Sequence, residues 1–142
     1  MNENIEFLNY IYQNAQMGIV GVDDIITKAQ DKNFENLLKE QKEDYQSICE
    51  ETLEIFKKYG RDNKELNPMA KMSSYMMSMM KTLTDSSINN LAKMMIEGSN
   101  KGIIEITEKL NAYQKADSEI IDLANKLLDI EQKNIDNLKT FL

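Results

Sequence analysis

Four stretches of the chain repeat apolar side chains every three or four residues, the spacing that gathers them on one face of an α-helix. In residues 3–29 the stripe is Ile5, Leu8, Tyr12, Ala15, Ile19, Val22, Ile26 and Ala29. Residues 34–59 carry it through Phe34, Leu38, Gln41, Tyr45, Ile48, Thr52, Ile55 and Tyr59. Residues 86–113 continue with Ile88, Leu91, Met95, Gly98, Gly102, Ile106 and Leu110, and residues 118–141 with Ile121, Ala124, Leu128, Glu131, Ile135 and Leu138, extended by Leu142. The punctuation agrees. Asp31 and Asn33 offer N-cap chemistry before the second stretch, and Ala116-Asp117-Ser118 does so before the fourth. Lys57 and Lys58 sit where they oppose a helix dipole, with Gly60 placed to end that helix.

Between the second and third stretches the pattern changes. Residues 60–67 are polar and turn-like, and Asn67-Pro68 reads as an N-cap followed by proline at the first helical position. A short helix is expected over residues 68–83, before Thr84-Asp85-Ser86 restarts the chain. The plan is all-α: two long antiparallel hairpins joined by a crossover of about 26 residues, each long helix about 36–42 Å at the usual rise. One unit spanning residues 1–142 accounts for the whole chain. A weak internal repeat fits this plan. Leu37-Leu38-Lys39-Glu40-Gln41-Lys42-Glu43 in the second helix echoes Leu127-Leu128-Asp129-Ile130-Glu131-Gln132-Lys133-Asn134 in the fourth.

Composition then removes whole classes of function. There is no histidine among the 142 residues, which excludes histidine-based nucleophile activation, histidine-ligated zinc and the usual general base. Cys49 is the one cysteine, so neither an internal disulfide nor a multi-thiolate site can form. With 24 acidic against 17 basic residues the net charge is −7, unfavourable for nucleic acid or an anionic membrane surface. No apolar run approaches membrane length, and residues 1–6 are acidic where a secretory signal would be basic. A cytoplasmic, non-enzymatic protein is the expectation. No phosphate-binding loop, dinucleotide fingerprint or nucleophile elbow is present.

The pattern resembles the ferritin-like superfamily, in particular the small rubrerythrin-type bundles of bacteria. The long central connection is that of a ferritin-like four-helix bundle. In that family the second and fourth helices each carry Glu-x-x-His, and the first and third each add one Glu, to hold two iron or two manganese ions. The tetrads that match here are Glu40-Gln41-Lys42-Glu43 and Glu131-Gln132-Lys133-Asn134, with Glu43 and Asn134 where the family has histidine. On the first helix only Asp23 or Asp24 stands at the right level, and on the third the nearest carboxylate is Glu97.

Two readings follow from this resemblance. One is a bundle that has lost di-metal chemistry and works as a structural or protein-interaction module. The other is a carboxylate-only iron or manganese protein or oxidase using Glu40, Glu43, Glu97 and Glu131, since hard oxygen donors bind these ions without imidazole. Glu131 is the sharpest anomaly, a charge on the apolar seam between Leu128 and Ile135. It is either a surviving ligand or a relic hydrogen-bonded to Gln41, Tyr45 or Asn134.

Met69, Met72, Met76, Met77, Met79 and Met80 concentrate in the crossover, with Met94 and Met95 close behind. They cover more of a helix than one buried stripe needs, which favours a homo-oligomer or protein-partner face over packing alone or copper(I) capture. Gly18, Gly21, Gly98 and Gly102 lie inside helices, where each costs about 1 kcal/mol relative to alanine. Close helix approach is the expected reason, with a ligand channel at the bundle centre as the alternative. Cys49, among Glu50, Glu51 and Glu54, reads as an inert thiol, and that acidic cluster as a solvated face. Tyr12 and Tyr45 are expected to bury their rings and find partners for their hydroxyls.

Overall fold

The computed structural model describes residues 3–62 and 85–142. They form α1 (Glu3–Ile26), α2 (Lys32–Lys58), α3 (Ile88–Ala112) and α4 (Ser118–Leu138), followed by a single 3-10 turn, Lys139–Phe141. The fold is an all-α four-helix bundle. The expected crossover helix, with its methionines Met69 through Met80, lies outside the described residues.

Helix directions follow from the contacts between named pairs. Asp44, Glu51 and Lys58 on α2 meet Lys133, Lys126 and Glu119 on α4 at 2.9, 2.7 and 2.7 Å. The two sets run in opposite senses at seven-residue steps, so α2 and α4 are antiparallel and in register along their length. Exposed ion pairs add little stability. Their spacing instead penalises any sliding of one helix past the other. Asn14 reaches Gly102 and Glu6 reaches Tyr113, which makes α1 and α3 antiparallel as well. Hence α1 and α4 point one way and α2 and α3 the other, and the end of α2 and the start of α3 lie at opposite ends of the bundle. At 1.5 Å per residue that distance is about 37 Å.

The helix ends are set by local chemistry. Asp31 accepts a hydrogen bond from the Phe34 amide at 2.9 Å and caps α2, while Ser87 does the same for α3 through the Asn90 amide at 3.3 Å. Gly60, at φ 72°, ends α2 in the left-handed conformation. Its amide bonds the Lys57 carbonyl at 2.9 Å, and the Arg61 amide bonds the Phe56 carbonyl at 3.3 Å, the paired closure of a Schellman motif. Asp117 stands at the N-cap of α4 but makes no side-chain cap bond there. Its carboxylate accepts instead from the Tyr59 hydroxyl, which ties the end of α2 to the start of α4.

Boundaries differ from the sequence expectation in two places. Helix α1 stops at Ile26 rather than residue 29, because Lys28 and Ala29 close back on the Ile25 and Ile26 carbonyls. Ala29 still packs on the core, so the apolar period runs past the helix into the turn. Helix α4 ends at Leu138, and Leu142, counted on the seam, is exposed. Phe141 takes the inward position and meets the Phe34 ring edge-on at 5.1 Å between centroids.

The buried face of α2 matches the predicted stripe from Phe34 to Ile55. In α1 and α4 the true face is rotated. Phe7, Ile11, Asn14 and Ile25 are buried in α1, whereas Tyr12, Ile19 and Ile26 are only partly so. In α4, Ile120, Leu123 and Leu127 are buried, while Ile121 and Leu128 sit at the margin. A helix packed against two neighbours buries a stripe wider than a strict three-four seam, which follows one edge of it.

Replacing Gly60 by alanine puts a Cβ on a left-handed residue and removes no packing contact. The expected loss is about 1 kcal/mol. Asp31→Ala removes a side-chain cap and is expected to lose a similar ~1 kcal/mol. Urea unfolding of both variants against the parent checks the two figures.

Candidate functional site

Glu131 is 3% exposed and lies inside the bundle. An isolated carboxylate there would cost several kcal/mol, so its surroundings must supply hydrogen bonds. They come from two helices. Tyr45 of α2 donates its hydroxyl to Glu131 Oε1, and Ser99 of α3 donates to the same oxygen at 3.4 Å. Asn134, one turn along α4, donates its amide to the Tyr45 hydroxyl at 3.1 Å. The result is a directed chain from Asn134 through Tyr45 to Glu131, in which each bond polarises the next.

Glu131 Oε2 has different company. It faces Gly102 of α3, with Asn14 of α1 alongside. Asn14 donates its amide to the Gly102 carbonyl at 3.3 Å, and its own Oδ1 is buried without a hydrogen-bond partner. Burial raises the Glu131 pKa to about 7, against the lowering effect of its bonds to Tyr45, Ser99 and Asn134. Burial and the neighbouring Glu131 charge hold the Tyr45 hydroxyl well above its ordinary value.

Two of the helix-interior glycines, Gly18 and Gly102, make room for these side chains. A Cβ on Gly18 would meet the Tyr45 ring at 2.5 Å. One on Gly102 would strike Glu131 Oε2. Gly98 is different, since a Cβ there would meet nothing within 4 Å. It borders a cavity of about 50 Å³ where α1 and α3 face each other above Glu131.

The structure brings only one of the four candidate metal ligands into the interior. Glu40 and Glu43 are exposed on α2 and Glu97 is exposed on α3, because Gln41, Met95 and Ser99 hold the inward positions on those helices. Asp23 is exposed and paired with Lys42 at 2.7 Å. Among the described residues no group of three or more His, Cys, Asp or Glu is arranged to hold a metal ion. A di-iron or di-manganese centre needs several carboxylates around one point, and this donor set does not fit it.

Of the expected hydrogen-bond partners of Glu131, Tyr45 and Asn134 are in place. Gln41 is buried, but neither polar atom of its side chain has a partner. Asn14 and Ser99 were not foreseen. Both are polar residues at inward helical positions, Ile11-x-x-Asn14 and Met95-x-x-x-Ser99, so their signal was a polar break in an apolar face. Cys49 is half-buried with its pKa raised to about 11 by burial and then by Glu50, an unreactive thiol as its acidic neighbours suggested.

Two sets of measurements test this geometry. The native chain holds the Glu131 proton between about pH 4.5 and 7, where the unfolded chain has lost it, so stability falls as pH rises through that window. Glu131→Gln keeps the shape and cannot ionise. The parent is therefore expected to lose up to about 3 kcal/mol relative to that variant between pH 5 and 8 in urea titrations. Gly98→Ala is expected to gain about 0.5–1 kcal/mol, and Gly102→Ala to lose about 1–3 kcal/mol by displacing the carboxylate, both read by thermal unfolding.

No protein-family profile matches the chain, and no curated protein matches it. Among solved structures it is similar to YcfI of Rhodopseudomonas palustris, described as "a putative structural protein". The TM-score is 0.63 at 15% identity, with 100% of this chain and 96% of that one covered. At that identity the likeness is one of fold, and the shared fold is the four-helix bundle.

Proposed function

We propose that the chain is a non-enzymatic bundle of the ferritin-like type, one that has left di-metal chemistry behind and works as a structural or protein-interaction module. One observation carries the reading. The interior holds a single carboxylate from the candidate set, Glu131, bonded to Tyr45 and Ser99, while Glu40, Glu43 and Glu97 are exposed. A redox or hydrolytic centre built on those four residues would need them around one point. The description of the R. palustris protein as structural accords with this.

Self-association is the form of interaction that the composition favours. Six methionines within residues 69–80 offer adaptable apolar contact, and methionine suits surfaces that must conform to a partner. A net charge of −7 directs the choice away from nucleic acid.

Elemental analysis after anaerobic incubation with Fe²⁺ or Mn²⁺ tests the first half of the proposal. Less than about one metal ion per ten chains is expected, since a lone carboxylate binds such ions weakly. Stoichiometric iron or manganese, lost in Glu131→Ala, would restore the metal reading. Light scattering tests the second half. The native chain is expected to run as an oligomer and the quadruple variant Met76→Ser, Met77→Ser, Met79→Ser, Met80→Ser as a monomer; a monomeric parent would sink self-association.

A further inference from the structure

The cavity between α1 and α3 has a chemistry the structural role does not use. Its walls are largely apolar, with Ile25, Met94 and Met95 among them, and Gly98 leaves it open. At its floor two oxygen acceptors come together beside Gly102: Glu131 Oε2 and Asn14 Oδ1. Asn14 is 5% exposed and lines this cavity, and its Oδ1 is a buried acceptor to which the described residues supply no donor. Buried acceptors left unmatched are rare because each costs about 1–3 kcal/mol.

We propose that the cavity binds a small primary alkylammonium ion, its –NH₃⁺ held between Glu131 Oε2 and Asn14 Oδ1 and its short alkyl chain against Met94 and Met95.

Size and donor count select this class. One water occupies roughly 10–15 Å³ of such a cavity, so about 50 Å³ leaves room for about three to five non-hydrogen atoms. Propylammonium has that size. A neutral alcohol donates one hydrogen bond and leaves one acceptor unmet, whereas an ammonium group donates to both. A bare metal ion would want more oxygen ligands than these two. An anion meets no basic side chain among the lining residues and faces a carboxylate.

Charge agrees with geometry. The titratable groups facing the acceptor pair are Glu131 from α4 and Tyr45 from α2, while α1 contributes Asn14 and α3 contributes Ser99. The site therefore has one negative charge at most when Tyr45 is neutral. A single monocation matches it, and pairing with a cation favours the ionised carboxylate that burial alone disfavours.

The test is an amide NMR titration of the full chain near pH 8, where an alkylammonium ion stays protonated as lysine does. Propylammonium, propan-1-ol and propionate serve as probes. Expected are saturable shifts at the Ser99, Gly102 and Gly98 amides with propylammonium, at least tenfold weaker binding of propanol, and none of propionate. Gly98→Leu, which fills the open space without touching the acceptors, is expected to abolish binding, as is Glu131→Gln. Three results would overturn the assignment: no saturation up to about 10 mM propylammonium, propanol binding as well as the cation, or undiminished binding in Gly98→Leu. Should Glu131→Gln fail to fold, the Gly98→Leu result and the probe series still decide.

Discussion

The hydrogen bond from Tyr45 to Glu131 is the contact on which the interior of this bundle is organised. A carboxylate one turn from the buried Leu127 and Ile135 cannot be left to itself, and donors from two other helices, Tyr45 and Ser99, satisfy it. Bringing that donor across fixes several other positions. The Tyr45 ring needs the space a side chain at residue 18 would occupy, and Glu131 needs the space of one at residue 102. Two helix-interior glycines, each unfavourable for its own helix, are thus the local consequence of one polar contact. Once α1 and α3 carry glycine on facing surfaces, a gap between them follows, and Gly98 leaves it unfilled.

The same contact bears on register. Tyr45 and Glu131 lie on α2 and α4, the pair also joined by ion pairs from Asp44, Glu51 and Lys58 at seven-residue steps. Hydrophobic surfaces alone tolerate small slides, because one leucine packs nearly as well as another. A buried hydroxyl–carboxylate bond does not, since a shift of one turn would strand both groups in apolar surroundings. The ion pairs repeat that message at the surface, where each contributes little energy but all break together if the helices slide. At one end of the bundle Tyr59 to Asp117 and Tyr113 to Glu6 close the remaining freedom by linking α2 to α4 and α3 to α1.

The helices and their order were legible because α-helical period, caps and turn residues are local properties of the chain. Asp31 and Gly60 do what their residue types predict. The site was half legible. Glu131 stood out because a charge on an apolar seam violates the pattern, Tyr45 followed from its seam position on α2, and Asn134 from its place in the matched tetrad. Asn14 was missed because the stripe chosen for α1 ran through Tyr12 and Ile19, one edge of a broader buried face. The resemblance of tetrads misassigned Glu40. It aligned Glu40 with Glu131 by sequence, but the helix rotation that buries Leu38 and Tyr45 turns Gln41 inward and Glu40 out. Sequence similarity between segments does not carry the phase of the helix, and a displacement of one residue is a rotation of about 100°.

Charge counting separates what this interior can hold from what the resemblance implied. A pair of divalent ions brings four positive charges, and only a cluster of carboxylates can offset them in a region of low dielectric. Among the described residues the interior offers one, Glu131, with the Tyr45 hydroxyl held neutral by burial and by that same charge. With Glu40, Glu43 and Glu97 at the surface, the class of guest differs from the one the resemblance implies. This interior balances a single positive charge or none. The unfilled volume above Glu131 is bordered by methionine and glycine, so a monovalent guest that enters must be partly apolar to gain from the walls as well as from the floor. The lone candidate carboxylate in the interior and the open space beside Gly98 thus point in one direction, away from a metal pair and toward a small amphipathic cation.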